Sequence, residues 1–187
     1  MDKPPGARRR LWTLGSMERS VAVRPIAPTD SLEELTDLLH AAYASLGAMG
    51  LNYTAIDQPV EVTQSRIKCG TCFVAVAEGK IVGTITVEPP HTDEDCPYVG
   101  QRHVASAQQF AVAPMHQRAG IGSRLLNHAE SWAHANGYSE LVVDTAEPAD
   151  HLVALYHRRG YEHVGFIERE GKRYRSVLLA KRLKHAA

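Results

Sequence analysis

The sequence predicts an α/β (α+β) fold: a single domain on a mixed, mostly antiparallel sheet of six to seven strands, with helices on both faces. Three observations lead there. Apolar patterning switches between strand and helix periods in the order strand, two helices, three strands, helix, strand, helix, two strands. Two strand pairs are joined by tight turns, Glu78-Gly79 and Glu170-Gly171, which makes them antiparallel hairpins. Between them, a strand–helix–strand run over residues 107–145 needs a crossover and so places one parallel pair inside the sheet.

Residues 21–26, VAVRPI, read as a short first strand. Ser31 then opens a helix. A serine at the cap with Glu34 three positions on is a capping box, and Leu32, Leu35, Leu38, Leu39, Ala42 and Tyr43 follow at helical spacing. SLGAMGLNYTAIDQP is a Gly-punctuated connection, followed by a weaker helix over 59–69. TCFVAVA (71–77) and KIVGTITVE (80–88) are β-rich runs, and the polar stretch 89–104 is expected as a loop. AQQFAV (107–112) is the next strand, and a helix over 121–136 ends at Asn136-Gly137. ELVVDT (140–145) begins with the continuous apolar character of a buried strand, and a helix over 149–159 stops at Gly160. YEHVGFIE and RYRSVLLAK form the final hairpin, the latter expected at a sheet edge because of its basic punctuation.

At 187 residues the chain is long enough for one domain with a real core. Lysine plus arginine equals aspartate plus glutamate at 21 each, so no global field recruits nucleic acid or an anionic membrane, and neither is expected as a partner. No apolar run approaches the roughly 20 residues of a membrane span. Residues 1–20, rich in Pro, Gly and Arg, are expected to be a disordered arm; 21–183 form the domain and 184–187 a tail. Arg8 to Arg10 lack the apolar stretch that follows in an export signal, and Met17 is an alternative start. Three cysteines, an odd and low count, point to a reducing cytoplasm. Cys69-Gly-Thr-Cys72, with His91, Cys96 and His103 as further donors, has the spacing of a redox or half-zinc motif. The preferred reading makes Cys72 a small core residue heading an apolar strand, so no metal is expected.

The chemistry sits in QFAVAPMHQRAGIGSRLL (109–126), where a strand ends in a proline, two glycines follow and a helix begins. The first N–H groups of a helix lack carbonyl partners, and the helix dipole makes that end partly positive. Without a Cβ at Gly120 and Gly122, a phosphate can come close to this backbone. Each charge-assisted bond to it is worth about 1.5–3 kcal/mol. Two common phosphate loops do not fit. The mononucleotide loop needs Lys then Ser or Thr after its last glycine, where Ser123 and Arg124 stand. The dinucleotide fingerprint needs a small residue where Leu125 stands. On the motif alone, glycines serving only a tight turn or close packing are the lesser alternative.

Val112-Ala113-Pro114 followed by Gln117-Arg118-Ala119-Gly120-Ile121-Gly122 resembles the acetyl-CoA-binding motif of the GCN5-related N-acetyltransferases (GNAT family). Leu155-Tyr156 with Gly160-Tyr161 resembles that family's later leucine–tyrosine and glycine–aromatic signature, and the order of elements over 21–183 agrees. The resemblance implies that the central parallel pair, 107–112 and 140–145, is splayed, so that Phe110, Ala111 and Val112 offer backbone bonds to the pantetheine arm. It implies that the amides of Arg118, Ala119, Gly120, Ile121, Gly122 and Ser123 hold the pyrophosphate. Gln117 stands at the family's arginine-or-glutamine position, and Arg124 is a further cation beside the loop.

The activity implied is cytoplasmic transfer of acetyl from acetyl-CoA, the acyl-donor cosubstrate, to a primary amine of a small molecule or peptide by direct attack. Tyr156 is then the general acid toward the departing thiolate; positioned groups of this kind contribute about 10²–10⁴-fold. Two positions depart from the family pattern. Ser106 stands where histone-modifying relatives carry a glutamate base, and Ala149 where many carry a cofactor-contacting asparagine. The base is left open between water and the carboxylates of Asp144 and Glu147, and the donor between acetyl and longer acyl chains. These departures keep a non-catalytic acyl-CoA-binding sensor as the alternative. The acceptor pocket is expected between the 43–60 connection, the 89–104 loop and the final hairpin. There Tyr43, Tyr53, Asp57, Glu61, Asp93, Glu94 and Asp95 would face a cationic amine. Homodimers are common in the family, and no sequence feature demonstrates one here.

Overall fold

The computed structural model describes residues 21–184. Their elements run β1 (Ala22–Pro25), α1 (Leu32–Ala48), α2 (Val60–Lys68), β2 (Thr71–Ala77), β3 (Lys80–Glu88), β4 (Val104–Val112), α3 (Ile121–Ala135), β5 (Glu140–Ala146), α4 (Asp150–Arg158), β6 (Glu162–Ile167) and β7 (Ser176–Arg182). The arm expected at 1–20, with the choice of Met17, and residues 185–187 of the tail lie outside the described residues. The strands form one seven-stranded sheet in the order β1-β2-β3-β4-β5-β7-β6. Every neighbouring pair is antiparallel except β4 and β5. No helix among the described residues is long and apolar enough to cross a membrane.

Side-chain alternation along the strands divides the core between two faces. On one face Phe73, Ala75 and Ala77 of β2 pack with Leu125, Leu126 and Ala129 of α3 and Tyr156 of α4. Cys72 and Val74 point the other way, against Leu35, Leu38 and Leu39 of α1. Leu125 has no exposed surface, and a Cβ on Gly83 of β3 would come within 2.9 Å of its Cδ1. Leucine and glycine thus fit each other across the α3–sheet interface. Leu125→Ala is expected to lower the unfolding free energy by about 2–5 kcal/mol in urea melts, the cost of an unfilled core site.

The local signals worked where backbone chemistry decides. Glu78 and Gly79 both take positive φ, 52° and 77°, and close the β2–β3 hairpin with the twist such turns match. At α1, the Ser31 hydroxyl accepts from the Glu34 N–H at 3.1 Å. The second half of the capping box is absent, because the Glu34 carboxylate instead accepts from the Ile81 N–H at 3.0 Å. The carboxylate so ties the start of α1 to β3.

Two expectations are corrected. β4 begins at Val104, inside the stretch expected as loop, because β5 supplies a ladder from Val104↔Glu140 to Ser106↔Val142. The rest of that stretch includes a single 3-10 turn, Pro97–Gly100. β7 is not an edge strand: it is paired on both sides and Val177 to Ala180 are buried, while β6 lies outside it.

The β4–β5 ladder ends at Ser106 and Val142, and beyond it the parallel pair separates. On its other side β4 carries a bulge. Thr84↔Ala111 and Thr86↔Gln108 leave Gln109 and Phe110 opposite the lone Ile85, and Gln109 takes a φ of 51°.

Candidate active site

Where β4 and β5 part, a cavity of about 340 Å³ opens. Its walls include Ser106 and Phe110 of β4, Asp144 of β5, Tyr156 of α4, Tyr43 of α1 and Tyr53 of the α1–α2 connection. Tyr43 and Tyr53 meet edge to face at 5.4 Å between ring centroids, and Tyr53 stacks on Tyr174 at 4.9 Å. The Tyr53 hydroxyl accepts from the Ala146 N–H at 2.6 Å and lies 2.9 Å from the Thr145 hydroxyl. This aromatic wall is thereby pinned to the end of β5. The roof is held by Asn52, whose amide donates to the Gly171 carbonyl at 2.7 Å and accepts from the Arg173 N–H at 2.9 Å.

Tyr156 is 6% exposed. Its ring packs on Tyr161 at 5.5 Å and Phe110 at 6.5 Å between centroids. Its hydroxyl has no hydrogen-bond partner among the described residues. Burial first, then the fields of Tyr43, Asp144 and Tyr53, pushes the phenol well above its ordinary value, so it stays protonated at neutral pH.

The two carboxylates left open for the base separate cleanly. Glu147 lies off the cavity wall, exposed and bound by Arg175 at 2.7 and 3.1 Å. Asp144 is on the wall, exposed into it, with neither a hydrogen bond nor an ion pair among the described residues. A third carboxylate, Glu88, escaped sequence reasoning. It is buried at the end of β3, directly across the ladder from Ser106, and its Oε1 accepts from the Gln108 amide. Burial raises its pKa above the ordinary carboxylate value. The signal for Glu88 was the strand register, which could not be counted through the 89–104 loop.

Of the residues expected to face an amine, Tyr43, Tyr53 and Asp93 line the cavity, and Asp57, Glu61, Glu94 and Asp95 do not. Asp93 is already engaged, bonded by Arg169 at 2.8 and 3.3 Å. Those bonds hold its carboxyl below the ordinary aspartate range despite opposing desolvation. A carboxyl so depressed stabilises the fold above about pH 4, its unfolded value, and the contribution drains away as pH falls through the folded value. Arg169→Met is therefore expected to be less stable than the parent at pH 6. The gap in urea midpoint should close below about pH 4.

The turn before α3 is the segment expected to receive an anion. Arg118 and Gly120 both have positive φ, 62° and 79°, with Ala119 between them. Among the described residues, no carbonyl accepts from the N–H groups of Arg118, Ala119, Gly120, Ile121, Gly122 or Ser123. A Cβ on Gly120 would meet nothing within 4 Å, so the approach to this backbone is open. Gly122 is small for another reason: a Cβ there would come 3.2 Å from the Phe110 ring, so it lets α3 sit close on β4. Gln117 turns its amide back to the Val112 carbonyl at 3.1 Å, and Arg124 reaches the Val21 carbonyl rather than the loop. Tyr43 donates to the Phe110 carbonyl at 3.3 Å. Two backbone acceptors of the Phe110–Val112 segment are thus already engaged.

Both polar atoms of the buried Gln109 amide, on the cavity wall, lack a partner. Such groups are rare in interiors, where ordered water or a bound molecule supplies the missing bonds. Among the described residues no three His, Cys, Asp or Glu side chains stand together as a metal site. Cys72 and Cys96 lie in different core clusters, and Cys69 is exposed.

The sequence profile of the acetyltransferase (GNAT) family matches residues 32–161. S-(2-succino)cysteine N-acetyltransferase of Bacillus subtilis is 30% identical over 156 residues, covering 82% of this chain and 91% of that protein. S-alkylcysteine N-acetyltransferase of the same organism is 24% identical, covering 78% and 82% of the two chains. A GNAT family acetyltransferase from Elizabethkingia anophelis, crystallised with acetyl-CoA bound, superposes with a TM-score of 0.62 at 19% identity over 87% of this chain and 98% of that one. With the splayed parallel pair, the bare-backbone turn ahead of α3 and the profile match over residues 32–161, this chain belongs to the acetyltransferase (GNAT) family.

Proposed function

We propose that this chain is an acetyl-CoA-dependent N-acetyltransferase acting on the primary amine of a small molecule, with S-substituted cysteines as the first class to test. The observation that carries the reading is one cavity shared by two complementary groups: the unpartnered hydroxyl of Tyr156 and the unpaired carboxylate of Asp144. The two Bacillus subtilis relatives, named for succinylated and alkylated cysteines, support the acceptor class. So does the cavity volume, near the lower end of the roughly 300–1,000 Å³ typical of small-molecule sites.

The residues fit the donor. The free N–H groups from Arg118 to Ser123 would hold its diphosphate, on the open side of Gly120. Phe110, Ala111 and Val112, beyond the end of the β4–β5 ladder, would line its pantetheine arm. Acetyl-CoA supplies the acetyl group as a thioester already activated toward amines. Asp144 takes a proton from the acceptor's ammonium and frees the nitrogen lone pair. Tyr156 donates to the departing sulfur. A C–N bond forms as a C–S bond breaks: nitrogen gives up two protons between ammonium and amide, the first to Asp144 before attack and the second, after it, to the Tyr156 phenolate left by protonation of sulfur, and Asp144 returns its proton to solvent. Holding amine and thioester together contributes independently of either proton.

The test is a panel of amines with thiol release as the readout: S-alkylcysteines, other amino acids, polyamines, aminoglycosides and peptide N-termini. Release with cysteine derivatives is the expected result. Silence across the panel, with coenzyme A still bound in calorimetry, would replace this reading with the non-catalytic sensor.

A further inference from the structure

The cavity wall carries seven titratable side chains besides its tyrosines and Cys96: Arg66, Glu88, His91, Asp93, Asp144, Arg169 and Lys172. Part of their charge is already matched. Arg169 binds Asp93, with Asp95 at 3.6 Å. His91 lies 3.8 Å from Glu88. Arg66 and Lys172 differ, because each is held by neutral oxygens alone. Arg66 donates to the Gln108 side-chain carbonyl at 2.7 and 3.1 Å and to that of Gln58 at 3.1 Å. Lys172 donates to the Asn52 carbonyl at 2.9 Å and the Thr54 hydroxyl at 3.0 Å.

Those neutral bonds fix both cations without neutralising them. Arg66 uses three of its five N–H groups and Lys172 two of three, so both keep donors to spare. Lys172 feels the neighbouring guanidinium groups: burial, then repulsion from Arg66 and Arg169, lowers its pKa against an opposing pull from Asp144 and Asp57. An anion set between them would relieve that repulsion and take the spare donors. Glu88 does not fill the role, because Gln108 stands between it and Arg66, donating to one and accepting from the other. Across the same cavity Asp144 is a carboxylate without a cation. The cavity thus holds two cations bonded only to neutral oxygens and one carboxylate bonded to nothing, with a buried orphan amide at Gln109 beside them. That pattern is complementary to a zwitterion.

We infer that Arg66 and Lys172 form a carboxylate subsite, so that the acceptor is an α-amino acid whose carboxylate they hold while its ammonium meets Asp144. The assignment rests on the cavity being the acceptor site of an acetyltransferase. Its apolar part, made by Val99, Val142, Ile167 and Leu178, receives the side chain of the amino acid.

The experiment compares matched pairs differing only in the carboxylate: S-methyl-L-cysteine against 2-(methylthio)ethylamine, and S-benzyl-L-cysteine against S-benzylcysteamine. The parent protein is expected to favour the carboxylate-bearing member about 10- to 100-fold in kcat/KM, as one or two charge-assisted bonds require. Lys172→Met and Arg66→Leu should each erase about tenfold of that preference, Lys172→Arg should restore part of it, and the KM for acetyl-CoA should not move. Calorimetry on coenzyme A-loaded protein reads the subsite without turnover. N-acetyl-S-methyl-L-cysteine should bind, and its decarboxylated counterpart should bind at least tenfold more weakly. Equal binding of the two, or binding of neither, overturns the subsite, as does equal loss of both pair members in the variants. Discriminating binding with no thiol release from any amine leaves the subsite standing and overturns the catalytic reading instead.

Discussion

Tyr156→Phe is expected to cut kcat about 10²- to 10³-fold while leaving coenzyme A affinity and thermal stability in place. The ring keeps its packing on Tyr161 and Phe110. The hydroxyl that is lost makes no hydrogen bond to the described protein, so its removal orphans nothing and stability should stay within about 0.5 kcal/mol. Only a group acting on substrate gives that combination. Because burial holds the phenol far above its usual value, no alkaline fall in kcat below about pH 10 should trace to Tyr156. Single-turnover rates with isothermal binding of coenzyme A check both halves. Undiminished kcat, or loss of cofactor binding, would remove Tyr156 from the proton path.

Asp144→Asn is the second large effect. The substitution keeps shape and removes charge from a side chain exposed into the cavity, so the fold should be untouched. At pH 7 kcat/KM should fall about 10²-fold or more, because the acceptor arrives as an ammonium with nothing to take its proton. As pH rises toward the amine's own pKa, solution chemistry supplies the free base and the deficit should narrow. A pH-independent deficit would make Asp144 a positioning group. Wild-type kcat/KM at pH 7 would eliminate it. The variant also relieves Tyr43, Tyr53, Tyr156 and Tyr174, whose pKa values Asp144 helps to raise.

The parts of this protein readable from sequence are those that local chemistry dictates. The β2–β3 hairpin appears with the strand limits expected, because two left-handed turn residues between apolar runs rich in valine, isoleucine and threonine leave the backbone little choice. The turn ahead of α3 was legible for the same reason: a proline, two glycines and a helix start confine the chain locally. Val104 to Ser106 were not legible, since their strand conformation comes from β5, which lies beyond all of α3. Interior placement of β7 was hidden because a strand's neighbours are set by how the chain returns, not by its own composition. The cavity between β4 and β5 shows the limit most plainly. Tyr43, Tyr53 and Asp144 were on the sequence-based short list, yet Arg66, Glu88 and Lys172 come from three elements whose convergence leaves no mark in spacing.

The extra residue in β4 makes one strand behave as two of opposite phase. Ahead of it, odd-numbered Ala105 and Ala107 face the α3 layer; after it, even-numbered Phe110 and Val112 do. Ala111 is left to face α1. With every residue kept, a strand in unbroken alternation could satisfy the layer beneath its first half or its second, never both. Deleting the extra residue, Gln109, would instead bring the two halves into one phase: Phe110 and Val112 would fall into step with Ala105 and Ala107, still toward Tyr156 and Gly122, and the strand would lose the buried amide together with the local kink of the bulge.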